Sequence, residues 1–252
     1  YMMDVEAGNV GLNNQFIRAE GGEPGKVTWK VGWENLPHLF SNEARSPFTD
    51  RGNGIMALPG AFRTTSLNAG ATWFTLQAGN SPYVPLGYDT ETGKLDLRFH
   101  PVQDFTVEMG AMRQTKRGTK ATTGSFGFSN AIELAAPVDW TTYEAYLDLQ
   151  KVSENYQLGF NYRLSDFANN FPNLYWYNPY RITDRYTSNS GYSSGDQSKL
   201  GAQAMDASNK AHALKIEGGV NLPLHSRFSG EAGYQQVADR AQKPVDEVTA
   251  TY

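Results

Sequence analysis

Along this chain, apolar and polar side chains alternate strictly in seven stretches of about nine residues, and six of the seven form pairs across a very short connection. In Lys94–His100, Leu95, Leu97 and Phe99 fall on one face and Asp96, Arg98 and His100 on the other. A repeat of two marks a β-strand, because successive Cβ atoms point to opposite faces of a sheet. Beyond Pro101–Asp104 the next strand sets Phe105, Val107, Met109 and Ala111 against Thr106, Glu108 and Gly110. The same reading holds for Val27, Trp29, Val31 and Trp33, for Tyr143, Ala145, Leu147 and Leu149, and for Tyr156, Leu158, Phe160, Tyr162 and Leu164. It continues through Leu214, Ile216, Val220 and Leu222 and through Phe228, Gly230, Ala232 and Tyr234. No helical period competes with it, so the pattern predicts an all-β, antiparallel fold.

In a soluble sandwich the apolar face would meet a second sheet, whereas in a membrane barrel it would meet lipid while the polar face lines a wet interior. The connections separate these two architectures. Gly21–Gly25, Pro101–Asp104, Ser153–Asn155 and Pro223–His225 are short, and they alternate with long segments at about 36–93, 114–141 and 166–210, rich in Gly, Ser, Asn, Thr and Pro. Loops longer than about 12–15 residues are uncommon in compact soluble domains. Outer-membrane barrels carry them as a rule, with short periplasmic turns and long external loops. Residues 1–252 therefore read as one partial transmembrane β-barrel domain with three long external loops.

Aromatic residues support the membrane reading. Trp29, Trp33, Trp140, Tyr143, Tyr156 and Phe167 lie near strand ends, where interfacial girdles place rings whose polar atoms prefer headgroups and water. The faces opposite the apolar ones collect Lys26, Lys30, Arg98, Arg163, Lys215 and Arg227 with Glu34, Asp96, Glu108, Glu144, Asp148, Glu217 and Glu231. Such a nearly neutral lining suits a broad aqueous channel or a wall around another macromolecule better than a strongly ion-selective pore.

The composition removes other functions. Net charge is −4, and Arg113–Lys120, with Lys116, Arg117 and Lys120, is the one local basic cluster; it reads as a solvated loop, and nucleic acid is not an expected partner. The absence of Cys excludes disulfides, thiol chemistry, Cys-bound zinc and covalent c-type haem attachment within these residues. No run reaches the ~18 apolar residues of a membrane helix, so any crossing is made by strands. The pattern opens at Tyr1–Val5 without a visible signal peptide and stops at Thr251–Tyr252, which reads as part of a longer or processed chain.

Several segments then take on meaning together. Trp33–His38, Ala44–Phe48 and Ala57–Pro59 are accompanied in order by Gly8–Asn14, Lys116–Thr119, Gly124–Phe126, Pro137–Thr142, Ser165–Asn170 and Trp176–Tyr180. Each is weak alone, but their collinear arrangement over Gly8–Tyr180 resembles the decahaem-associated outer-membrane barrels of the MtrB/PioB family. The resemblance implies a very large barrel of more than about twenty strands, of which this chain supplies part of the wall. It also implies a structural, non-enzymatic role in a Gram-negative outer membrane. In that role the barrel sheathes a periplasmic multihaem c-type cytochrome, with an outer-surface multihaem cytochrome as a further partner, so that electrons cross the bilayer. Haem would be carried by the partner, and none is bound by this chain itself.

No catalytic, cofactor-binding or metal-binding residue is assigned. His38, His100, His212 and His225 are not spaced as ligands, and His100 and His225 sit beside short turns. No Gly-x-Ser-x-Gly elbow is present. Glu144 and Asp148 share one strand face and read as wall polarity rather than as an acid and base pair. Pro37, Pro47 and Pro59 are expected to shape the loop after Glu34, and Phe171–Tyr180 reads either as an aromatic docking surface or as packing among external loops. The rival functions are a general or substrate-specific diffusion porin without a redox partner, and a soluble β-sandwich that binds carbohydrate through its aromatics.

Overall fold

The computed structural model describes residues 1–62, 79–126, 130–179 and 200–240. Its strands are β1 (Met2–Gly8), β2 (Phe16–Glu23), β3 (Val27–Ser41), β4 (Thr49–Asp50), β5 (Ile55–Ala57), β6 (Leu86–Val102), β7 (Phe105–Phe126), β8 (Asn130–Val152), β9 (Tyr156–Asn169), β10 (Asn173–Tyr177), β11 (Leu200–Ala204), β12 (Asn209–Leu222) and β13 (Ser226–Asp239). Nine of them form one antiparallel sheet in the order β1-β2-β3-β6-β7-β8-β9-β12-β13, and β11-β10-β5-β4 form a second, smaller sheet. Every neighbour in the large sheet is a sequence neighbour once β4–β5 and β10–β11 are set aside, which is the up-and-down arrangement of a barrel wall. Among the described residues the sheet does not close, and β1 and β13 are its edges.

The seven predicted strands are all present, and the pairing places their apolar positions in continuous rows. One row runs Trp29, Leu97, Met109, Leu147, Tyr162, Leu214 and Tyr234 across seven strands. The next runs Val27, Phe99, Val107, Leu149, Phe160, Ile216 and Ala232. Among the described residues no second sheet covers these rows: Ile216 is 52% and Tyr234 63% exposed. A single layer with a bare apolar face is unstable in water and natural in lipid, which favours the expected barrel over the rival sandwich.

All four short connections lie on one rim, because each joins antiparallel neighbours in the same sense. At the first, the Lys26 N–H donates to the Glu23 carbonyl at 3.0 Å with Pro24 second and Gly25 third at φ +78°, the residue choice of a type II turn. Gly21 and Gly22 are strand residues, and Lys26 belongs to this turn rather than to the wall face. Asp104 and His225 take left-handed φ angles of 62° and 58° in their turns, a region that both residue types tolerate.

Three expectations are corrected. The segment 114–141 is not a loop: β7 and β8, 22 and 23 residues long, run through it as a hairpin. A bilayer needs only about 9–11 residues of tilted strand, so roughly half of this hairpin stands outside the membrane. Strand also enters the other two loops, since β3 extends to Ser41 with Pro37 inside it, β6 starts at Leu86, and β9 ends at Asn169; residues 63–78 and 180–199 of those loops, with Tyr180, lie outside the described residues. Finally, Trp29 sits in the middle apolar row, and Trp140 and Phe167 occupy the polar face, so they are not girdle residues; Trp33 and Tyr143 at one end and Tyr156 and Phe228 at the other are.

Facing is testable by charge insertion. Leu97→Arg should cost about 2–4 kcal/mol of folding stability in lipid vesicles, whereas Glu108→Arg on the opposite face should cost less than about 1 kcal/mol. Equal losses in a urea titration would show that the faces are assigned wrongly.

Candidate functional site: the polar wall and its external cap

The face opposite lipid is built by the same alternation, so each polar residue is flanked on its strand by two apolar ones pointing away. One row runs Asp4, Glu20, Lys30, Asp96, Gly110, Tyr146, Arg163, Ala213 and Gln235. Its neighbour runs Thr28, Arg98, Glu108, Asp148, Asn161 and Lys215. Glu34, Glu144, Glu217, Glu231 and Arg227 share this face, as expected.

Many of the wall's charges are matched from strand to strand. Arg163 binds Asp148 in a fork, Nη1 to Oδ1 at 2.6 Å and Nη2 to Oδ2 at 2.8 Å, and the Asn161 side-chain amide donates to the same Oδ1 at 2.9 Å. Arg98 pairs with Glu108 at 3.1 Å, Lys30 with Glu20 at 2.8 Å, and Arg18 with Glu34 at 3.1 Å. Glu108 and Asp148 lie directly opposite each other, as do Glu217 and Glu231. Like charges in that position repel. The first pair is relieved by Arg98 and Arg163, and the second by Lys215, which reaches Glu231 at 2.7 Å and Glu217 at 3.1 Å. Each exposed pair contributes only about 0–1 kcal/mol, so the lattice sets the sign and smoothness of the wall more than its stability.

One contact spans three strands. The Tyr146 hydroxyl donates to Asp96 Oδ1 at 2.6 Å from two strands away, its ring lying over Gly110. A Cβ at position 110 would run into both the ring and the carboxylate, so glycine is required there for space rather than for backbone freedom. Arg163 covers the other side, its guanidinium carbon 4.9 Å from the ring centroid.

Sequence reasoning missed Arg18, Glu20, Asn161 and Tyr146, and placed Gly110 on this face without its role. The first two lie on β2, whose short alternation Ile17, Arg18, Ala19, Glu20 runs into Gly21–Gly22; Asn161 and Tyr146 carry no charge to mark them. The basic cluster at Arg113–Lys120 splits between the two faces: Lys116 lies over Tyr88, Lys120 over Trp140, Arg113 against Tyr143, and Arg117 pairs with Asp139 at 3.5 Å.

The histidines stay apart. His38 stacks on Tyr88 at 5.3 Å, His100 Nδ1 is 3.1 Å from Thr106 Oγ1, His212 Nδ1 is 2.7 Å from the Tyr162 hydroxyl, and His225 forms a turn. Among the described residues no three metal-ligating side chains converge. Glu144 and Asp148 lie in different rows of the wall, with Asp148 engaged by Arg163.

Some of the family-like segments, Ala44–Phe48, Ala57–Pro59, Gly124–Phe126 and Trp176–Tyr180, meet outside the membrane. Phe48, Met56, Ala57, Leu58, Leu174, Trp176 and Tyr177 form a buried core with Ile132, Leu134 and Ala136 of β8. Tyr175 pairs with Ile55 in parallel register, joining the β3–β6 connection to the β9–β12 connection in one small sheet, here termed the cap. Trp176 is 3% exposed and lies between Gly124 of β7 and Gly201 of β11, where a Cβ on either glycine would strike the indole. The Phe171–Tyr180 run thus serves packing, not an exposed aromatic surface, as far as its described residues go.

An antiparallel sheet with one lipid-facing side, short turns on one rim and folded loops on the other defines an outer-membrane β-barrel wall. The sequence profile of the outer membrane beta-barrel porin family MtrB/PioB matches residues 1–241. Outer membrane protein MtrB of Shewanella baltica (strain OS185) is similar too, 25% identical over 231 residues that cover 88% of this chain. The chain spans 30% of that protein's length. The chain belongs to the MtrB/PioB family of outer-membrane β-barrels, a structural porin family.

The Tyr146 bridge gives a cycle. Tyr146→Phe should cost about 1 kcal/mol, and Gly110→Val about 2 kcal/mol by evicting the ring. In a Tyr146→Ala background Gly110→Val should cost clearly less in urea titrations, what remains being its clash with the Asp96 carboxylate; full additivity would mean that the ring does not occupy the glycine's space.

Proposed function

We propose that this chain is part of a sheath that holds a periplasmic multihaem c-type cytochrome within the outer membrane, forming a porin–cytochrome conduit for electron transfer. The observation that carries the reading is the internally paired polar wall. Its cations and carboxylates bind one another across β2–β3, β6–β7, β8–β9 and β12–β13, leaving no dominant sign to select ions. A large protein surface can lie against such a wall with few charges left to be compensated. Membership of the MtrB/PioB family and likeness to a protein named outer membrane protein MtrB support the reading at family level.

The division of labour follows from the chemistry. Electron hopping needs closely spaced cofactors kept out of lipid, and the barrel contributes an insulating apolar exterior and a rigid polar interior. Haem belongs to the partner in this proposal: the chain has no Cys for covalent attachment, and its described histidines are engaged at separate points. An outer-surface multihaem cytochrome would dock on the external rim. The rival reading is a diffusion porin without a redox partner, favoured by the family's porin description and by the polar lumen face.

Reconstitution separates them. Proteoliposomes containing the full-length barrel alone should pass no electrons to an enclosed acceptor, and adding the cytochrome should establish transfer. A native barrel purified without any haem protein, conducting solutes as isolated, would overturn the sheath in favour of the porin.

A further inference from the structure

The register of β7 against β8 is unbroken from Phe105↔Lys151 to Phe126↔Asn130, so the faces can be followed from the membrane into the protruding hairpin. Met112 and Glu144 face the lumen; by the same parity so do Lys116 and Trp140, Lys120 and Ala136, and Gly124 and Ile132. The cap packs on this face, with Ile132, Leu134 and Ala136 at 1%, 2% and 0% exposure. The described parts of these two external connections thus lie over the channel side.

The cap is also a bridge. Its strands β4 and β5 come from the connection leaving the wall at β3–β6, and β10 and β11 from the connection leaving at β9–β12, on the two flanks of β7–β8. They join through the parallel β5–β10 pairing and the Tyr175 N–H to Gly54 carbonyl bond of 2.8 Å. This link between the two flanks of β7–β8, lying on the lumen-facing side of the hairpin, stands over the external mouth along this arc of wall.

Its base is tied down. Lys120 Nζ binds Asp206 Oδ2 at 3.1 Å, the Asn169 side-chain amide donates to the Asp206 carbonyl at 3.0 Å, and the Asn169 N–H donates to Ser208 Oγ at 2.9 Å. Trp176, wedged between Gly124 of β7 and Gly201 of β11, pins the β9–β12 connection to the hairpin, and the β5–β10 pairing holds the β3–β6 connection to it.

We propose that this cap closes the external mouth of the lumen over this arc of wall, so that the barrel acts at its outer face as a barrier to solutes rather than as an open pore. The inference concerns the barrel alone and does not depend on a cytochrome. The barrier is steric: a folded core stands where an open pore would have water.

The test uses full-length barrel in liposomes without any cytochrome, read by swelling in neutral oligosaccharides of increasing size. Gly124→Val with Gly201→Val forces Trp176 out of its slot while leaving the membrane rows untouched. Heat-modifiable gel mobility reports whether the barrel is intact, and limited proteolysis of the cap reports whether it has undocked. The expected result is a several-fold faster entry of the larger oligosaccharides in the variant, with the barrel band unchanged. Unchanged permeability despite a protease-sensitive cap would overturn the proposal. As a second arm, Lys120→Cys with Asp206→Cys, in a chain that has no other Cys among its 252 residues, should be joined by a short bismaleimide. The cross-link should hold permeability at the wild-type level in the valine background. Failure of the two thiols to join in an otherwise wild-type barrel would also overturn it, because the cap would then not lie on the inner face.

Discussion

The wall of this chain follows from one constraint: within a bilayer no backbone N–H or C=O can be left to water, so a strand survives there only between two hydrogen-bonded neighbours. Pairing fixes register, and register fixes which side chains share a row. Once Leu97 lies beside Trp29 and Met109 on the lipid side, Asp96 must lie beside Lys30 and Gly110 on the other. The lipid rows are therefore the cause of the polar wall as much as its complement. The same constraint bears on β1 and β13, whose outer edges require partners at membrane depth.

The wall resolves its own charges. Opposed carboxylates such as Glu108 and Asp148 are held in place by arginines on the strands outside them, and Tyr146 reaches over a glycine to close the gap between Asp96 and Arg163. Above the membrane the constraint is lifted, water can satisfy the backbone, and the design changes. There β7 and β8 continue as a bare hairpin until a conventional buried core, assembled from two distant connections, packs on their inner face.

The membrane part of the fold was legible because lipid enforces alternation: β6–β7, β8–β9 and β12–β13 could be read with their faces and turns. Outside the membrane that signal fades. Leu134, Ala135, Ala136, Pro137 and Val138 are all buried, so the even positions no longer stand out from the odd ones and the hairpin looked like a loop. Strands β1 and β2 are short and end beside glycines, so Arg18 and Glu20 went unrecognised. Trp140 and Phe167 were legible as aromatic but not as inward-facing, because one residue of register reverses a side chain's face. The cap could not be read at all: Phe48, Leu58 and Trp176 acquire a common purpose only when residues far apart in sequence meet, and local pattern carries no record of that.

The central claim is that the polar face looks onto an enclosed redox protein. It is tested most directly by placing a single cysteine at Ala213, which faces the lumen, or at the adjacent Leu214, which faces lipid, in the full-length barrel in native outer membranes. A thiol-to-amine cross-linker should join the barrel to a haem-staining polypeptide from position 213 and not from position 214. Colourless barrel with no haem-staining adduct from either position would contradict the account.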